Sequence, residues 1–154
     1  MKYYHLLKTP IGELTIVESN DKIVEITLNA SNLESFIKTE TKLIKAAKEW
    51  LISYFKGEVK TIDFPYYQMK TSFQNKVYEA TQKIPFGTVK SYLEVAIAIN
   101  HPKAYRAVGN ALNKNDLLIV VPCHRVVGSN GLGGFGGGIA VKKLLLKHEK
   151  GILI

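Results

Sequence analysis

Apolar and polar residues alternate through residues 3–9, 12–19 and 22–28, whereas from about residue 41 the apolar positions recur at steps of three and four. Period two marks a strand with one buried face, and a period near 3.6 marks an amphipathic helix. Pro10-Ile11-Gly12 and Asn20-Asp21 punctuate the alternating runs, so the first thirty residues are predicted to form an antiparallel meander. Leu43, Ile44, Ala47, Leu51 and Tyr54 then trace the apolar stripe of a helix over about residues 41–55, with Gly57 just beyond as a stop. The helix is expected to pack on the sheet, with Trp50, Tyr54 and Phe55 filling the core between them. Strands first and helices afterwards, without strand–helix–strand alternation, indicate the α+β class.

Residues 58–71 contain Pro65, several polar residues and no clear period, and read as a connection between two lobes: an N-terminal domain over residues 1–66 and a C-terminal domain over residues 72–154. The second lobe reads as mostly helical. Phe73, Val77 and Ala80 share one face of a helix behind a serine N-cap at Ser72, and Ile84-Pro85-Phe86-Gly87 ends it. Further helices are predicted over about residues 91–99 and 103–113, joined through Asn100-His101-Pro102. Two short helices joined this way resemble a helix-turn-helix. The second of them is lined with Ala104, Ala107, Gly109 and Ala111 and carries one arginine, Arg106. Small residues let a helix approach a groove closely, and they equally let helices pack tightly.

Charge is divided unequally. Residues 1–70 carry 10 Lys against 9 acidic residues, while residues 71–154 carry 9 Lys and 2 Arg against 4 acidic residues. The positive excess of the second lobe suits a polyanion, nucleic acid before an acidic membrane surface. No apolar stretch is long enough for a membrane span and the start lacks a signal-peptide core, so a cytoplasmic location is expected. With one cysteine and no zinc-finger spacing, neither a disulfide framework nor a structural metal site is expected.

That cysteine lies in Ile119-Val120-Val121-Pro122-Cys123-His124-Arg125-Val126-Val127. The apolar, β-branched run before Pro122 reads as a short buried strand ending in a turn. A lone buried cysteine is more often an inert apolar residue. Here an imidazole and a guanidinium follow it directly, an environment that lowers a thiol pKa and favours the thiolate.

Taken in order, Phe73-Gln74 with Val77, Ile84-Pro85-Phe86-Gly87, Ser91-Tyr92, Pro102 to Arg106-Ala107-Val108-Gly109, Asn115, the Pro-Cys-His-Arg-Val box, a glycine-rich loop and Leu145-Leu146-Lys147-His148-Glu149 resemble the alkylguanine-DNA alkyltransferases. The likeness covers roughly residues 72–150. The first half agrees only in general pattern, including Tyr54-Phe55-Lys56-Gly57.

The resemblance implies a small N-terminal antiparallel sheet with a helix, ribonuclease H-like, followed by a mostly helical domain carrying the helix-turn-helix and the reactive cysteine. It implies DNA repair by direct, irreversible, one-time transfer of an alkyl group from 6-O-alkylguanine, and from 4-O-alkylthymine, to Cys123. His124 would take the thiol proton through a water and Glu149 would orient the imidazole, as in a hydrolytic triad. Tyr92 would give a proton or hydrogen bond to the leaving base, and Asn115 would orient the active-site turn. The nucleotide must leave the base stack, with Arg106 filling the gap and Ala107, Lys103, Tyr92 and Arg125 joining it against DNA. Pro122, Val126, Phe135 and Gly136 would line the substrate pocket; Phe135 and Gly136 stand where many relatives have tyrosine and serine. The implied partner is double-stranded DNA containing alkylated guanine, met by a monomer, with no membrane, no cofactor and no metal. Competing readings are a helix-turn-helix regulator, a damage sensor that binds without reacting, and a thiol hydrolase that would turn over repeatedly.

Overall fold

A computed structural model describes residues 1–129 and 131–150; Asn130 of the glycine-rich loop and the last four positions of the expected second domain lie outside them. The chain divides into two compact units, residues 1–68 and 69–154.

In the first unit, β1 (Lys2–Thr9), β2 (Gly12–Ser19) and β3 (Lys22–Leu28) form the antiparallel meander. A two-residue strand, β4 (Ile37–Lys38), adds to the free side of β1 in parallel, giving the order β3-β2-β1-β4. The alternation predicts the meander but not β4, which is too short to show a period. Helix α1 (Lys42–Phe55) starts at Thr41, whose hydroxyl accepts the Ile44 N–H, and its buried Ile44, Ala47, Leu51 and Tyr54 cover the sheet. Leu14, Ile16, Ile23 and Ile26 complete this core. Of the three aromatic residues expected to fill it, Tyr54 is buried while Trp50 and Phe55 are half-buried at its margin.

The second unit opens with α2 (Ser72–Gln82). Its cap is Thr71, not Ser72: Thr71 and Gln74 form a reciprocal capping box, and Ser72 is the first helical residue. Ser91 and Glu94 build the same device at the start of α3 (Tyr92–Ala98). Helix α4 (Tyr105–Asn113) follows after residues 99–104, a longer connection than the spacing suggested, and packs against α3. Strand β5 (Lys90–Ser91) pairs in parallel with β6 (Val126–Val127), and α5 (Ile139–Glu149) closes the unit. The β5–β6 pairing sets Lys90 opposite Val126 and Ser91 opposite Val127. Tyr92, next after Ser91, is thereby registered against the segment that follows Cys123. Among the described residues, no helix is long and apolar enough to cross a membrane.

Candidate active site

The run before Pro122 is buried as predicted, but it is a turn instead of a strand. Leu117 accepts from the Val121 N–H, Leu118 from the Val120 N–H, and Ile119 lies between them at φ 71°. Left-handed backbone costs a non-glycine residue about 1–2 kcal/mol, and a β-branched residue takes it only when its surroundings enforce it. The enforcing group is Asn115. Its side-chain oxygen accepts the Leu117 N–H at 3.0 Å, and its amide donates to the Leu117 and Val121 carbonyls at 3.2 and 3.0 Å. The same amide lies 3.5 Å from Sγ of Cys123. Gln82 of α2 pins the turn from behind by donating to the Val120 carbonyl. Asn115 therefore shapes the backbone that delivers the thiol and also touches it.

Cys123, His124 and Arg125 form a single 3-10 turn, which throws the three side chains in different directions. Cys123 and His124 are buried. The imidazole Nε2 is hydrogen-bonded to Glu149, the last residue of α5, and both side chains are sealed from solvent. Arg125 grips the same carboxylate through Nε at 2.8 Å and a terminal nitrogen at 3.1 Å, and its remaining nitrogen donates to the Ile84 carbonyl. The Gly87 N–H also donates to Glu149, at 3.2 Å. The Ile84-Pro85-Phe86-Gly87 segment, read from its residues as a helix stop and from the resemblance as a motif without a stated role, thus helps build the cradle of Glu149.

Arg125 requires a correction. Expected against DNA, it is turned inward, its side chain 11% exposed and committed to Glu149. The other lysines and arginines of residues 71–150 are exposed, with one exception, Lys142. Lys103, Arg106 and Ala107 lie on the surface at the start of α4, with Arg106 in its first turn. Of the expected pocket residues, Pro122 and Val126 are buried, Phe135 is half-buried and Gly136 is exposed.

Electrostatics correct a second expectation. Burial pushes the Cys123 thiol up from its ordinary 9.0, outweighing the hydrogen bond from Asn115 and the nearby charge of Lys142. Burial likewise holds His124 below 6.5, against the pull of Glu149, whose negative charge is already matched by Arg125. The resting site therefore holds a neutral thiol beside a neutral base, not a standing thiolate. Tyr92 is raised above 10.0, again chiefly by burial, so its phenol keeps its proton at neutral pH.

Tyr92 is packed among glycines. Its hydroxyl donates to the Gly134 carbonyl at 3.5 Å. A Cβ on Gly133 would stand 2.3 Å from that hydroxyl, and one on Gly109 would stand 3.6 Å from the ring. Sequence reasoning missed Lys142, which is fully buried and donates to the carbonyls of Val126 at 2.7 Å and Gly134 at 3.0 Å. A signal was present: Lys142, Leu145 and Glu149 follow one another at helical steps along the buried stripe of α5. A cleft of about 620 Å³ lies elsewhere, between α2 and α3, where Ile84, Val95 and Ile99 are among its lining residues and Cys123 is not. Chemistry, not cavity size, locates the site.

Comparisons with known proteins agree along the whole chain. Residues 2–66 match the family model described as 6-O-methylguanine DNA methyltransferase, ribonuclease-like domain, and residues 72–151 match its DNA binding domain. The constitutive methylated-DNA--protein-cysteine methyltransferase of Bacillus subtilis is 42% identical over 159 residues, spanning 97% of this chain and 96% of that one. The methylated-DNA--protein-cysteine methyltransferase of Methanosarcina acetivorans is 39% identical over 153 residues, spanning 96% and 97%. The crystal structure of Mycobacterium tuberculosis OGT in complex with DNA superposes with a TM-score of 0.87 at 36% identity, over 97% of this chain and 93% of that one.

Proposed function

This chain belongs to the 6-O-methylguanine DNA methyltransferase family, and from that premise we propose that Cys123 is the acceptor in a direct, one-time transfer of an alkyl group from guanine oxygen-6 in DNA. The observation that carries the assignment is the buried chain of contacts Cys123–Asn115 and His124–Glu149–Arg125, assembled from three separate segments around the only cysteine. Such expense in buried polar groups serves no packing purpose that apolar residues would not serve better.

The chemistry follows from the protonation states. A neutral thiol is a poor nucleophile, so Sγ loses its proton as the alkyl carbon comes within reach. His124, held neutral by burial, takes that proton through a water. Nε2 is committed to Glu149, so the proton arrives at Nδ1, and the imidazolium is balanced by the carboxylate. Sγ then forms a bond to the alkyl carbon while the carbon–oxygen bond breaks and its electron pair stays with the guanine. Tyr92, protonated at neutral pH, meets that charge by turning its single hydroxyl proton from the Gly134 carbonyl to the base. Tyr92 gives its proton to the guanine and is reprotonated through water with the proton that His124 took from the thiol, so the transfer balances without an added oxidant or reductant. The product is a thioether, which has no displacement route back to the thiol, so each molecule reacts once.

The reacting oxygen is inaccessible inside a duplex, so the nucleotide rotates out of the stack. Arg106 fills the gap, a reading supported by its exposure in the first turn of α4, and the exposed lysines of residues 71–150 supply phosphate contacts. A cytoplasmic location belongs to the same reading.

The test is the mass of the intact protein after incubation with a duplex carrying one 6-O-methylguanine, beside Cys123→Ala. A gain of one methyl per molecule on the wild type alone is the expected result. Binding without a mass gain would make the protein a damage sensor, and repeated turnover without a covalent product would make it a hydrolase.

A further inference from the structure

We propose that Lys142 is a positioning residue that ties the glycine-rich loop at Gly134 to β6, directly after the Cys123 turn, and so holds the Gly134 carbonyl in place for the Tyr92 hydroxyl. The inference rests on the alkyl-transfer reading above. Its geometry is specific. The ammonium bonds a firm point and a soft one: Val126, buried in β6 directly after the Cys123–Arg125 turn, at 2.7 Å, and Gly134, in the loop, at 3.0 Å. Gly134 is also the acceptor of Tyr92, and the Lys142 Nζ lies 5.8 Å from the centre of the Tyr92 ring. One loop carbonyl therefore receives both the buried cation and the hydroxyl that meets the leaving base. Without the cation, a segment of this composition has little to fix it, because glycine has the widest backbone freedom of any residue.

Keeping a lysine fully buried is costly, and its ammonium donates to the backbone carbonyls of Val126 and Gly134, not to a carboxylate. Desolvation draws its pKa down to about 8, so within about one unit of neutrality the latch begins to lose its charge. Charge-assisted hydrogen bonds are about twice as strong as neutral ones, so the neutral amine holds the loop less firmly. The titratable groups facing Lys142 are Tyr92 at the start of α3 and Cys123 and His124 in the turn; Glu149, further along α5, is engaged by His124 and Arg125. A negative charge on Cys123 raises the lysine's pKa, and a proton on His124 acts against it.

The experiment is hydrogen exchange of residues 131–138 and the single-turnover rate of alkyl transfer, both followed from neutral pH to above the lysine's value of about 8. Lys142→Met keeps the volume and removes the donors; it is expected to lower loop protection and slow transfer roughly 10-fold, with binding of unmodified duplex unchanged. In the wild type, protection, corrected for intrinsic base catalysis, is expected to fall as pH rises through that value, and in Lys142→Met it is expected to stay flat. Equal loop protection and equal transfer rate in Lys142→Met overturn the latch. So does wild-type protection that ignores pH across the interval, a measurement that needs no variant and decides the matter if Lys142→Met does not fold. A wild type that shows the pH-dependent protection but never gains an alkyl group would overturn the alkyl-transfer reading instead, leaving a latch without that reaction.

Discussion

His124 and Glu149 are hydrogen-bonded to one another where neither side chain reaches water, their exposures being 0% and 1%. Arg125 holds the same carboxylate through both of its oxygens, so three ionisable groups meet in one largely buried cluster. Removing one partner of such a group is far worse than removing a pair, because the survivor is left charged and unmatched. Glu149→Ala should therefore lower unfolding free energy by about 3–5 kcal/mol in urea titration. The double variant Arg125→Met, Glu149→Leu should recover most of that loss. It should not recover alkyl transfer, since His124 would lack the group proposed to orient it; wild-type rates in the double variant would sink the positioning role proposed for Glu149.

The protonation states make stability depend on pH in a definite direction. His124 has a folded pKa below its ordinary 6.5, so the unfolded chain binds the proton more readily. Its stabilising contribution is complete above that value and is lost as pH falls below it, with a slope of up to about 1.4 kcal/mol per pH unit. Cys123 works oppositely: its folded pKa lies above 9.0, so stability declines as pH rises past that point and the unfolded thiol ionises. Lys142, lowered to about 8, adds stability with rising pH between there and 10.5, against the trend from Cys123. The acid side is thus the cleaner test above the carboxylate range. Urea midpoints of the wild type should fall from neutral pH to about one unit below 6.5, and those of His124→Gln should hardly move over the same interval.

What was legible in the sequence was whatever a single period or a single side chain decides. The three meander strands and the stripe of α1 are of that kind, because a strand's alternation and a helix's period act within a few residues; the cap of α2 was legible only to within one residue, Thr71 standing where Ser72 was expected. Cys123, His124, Glu149, Tyr92 and Asn115 were singled out through resemblance, and the structure pairs Asn115 with Cys123 and Glu149 with the adjacent His124. Arg125 and Lys142 were not. A cation in a basic lobe reads as a surface charge until the fold shows a carboxylate or two carbonyls waiting for it. The turn at Ile119 was equally hidden, since β-branched residues favour strands and only the side chain of Asn115 forces the reversal.

Gly133 has no room for a side chain. Its φ is 73°, and a Cβ there would also fall 2.7 Å from the Tyr92 ring. Gly133→Ala is expected to cost about 1–2 kcal/mol of backbone strain and to displace Tyr92, slowing alkyl transfer at least roughly 10-fold. Gly131, two positions earlier, has nothing within 4 Å of an added Cβ. Gly131→Ala should leave transfer unchanged and stability within about 0.5 kcal/mol. Equal rates for the two variants would show that the contact with Tyr92 does not matter to the reaction.

A variant at Arg106 tests the role proposed for it in recognising the duplex apart from the chemistry proposed at Cys123. It is exposed in the first turn of α4, so Arg106→Ala should leave the urea midpoint unchanged. The nucleophile, the base and Tyr92 are untouched, so the rate with a free 6-O-alkylguanine base should also be unchanged. On a duplex the substitution removes the side chain proposed to occupy the space left by the rotated nucleotide, and the stack closes again more readily. Transfer from duplex substrate should then fall by roughly 10-fold or more, the size of a few kcal/mol of unstacking no longer offset. A charge that only touched phosphate would behave differently, weakening all DNA alike and lowering the salt slope by about one. A uniform loss of affinity for modified and unmodified duplex, with no further loss in the transfer step, would therefore reassign Arg106 to the backbone.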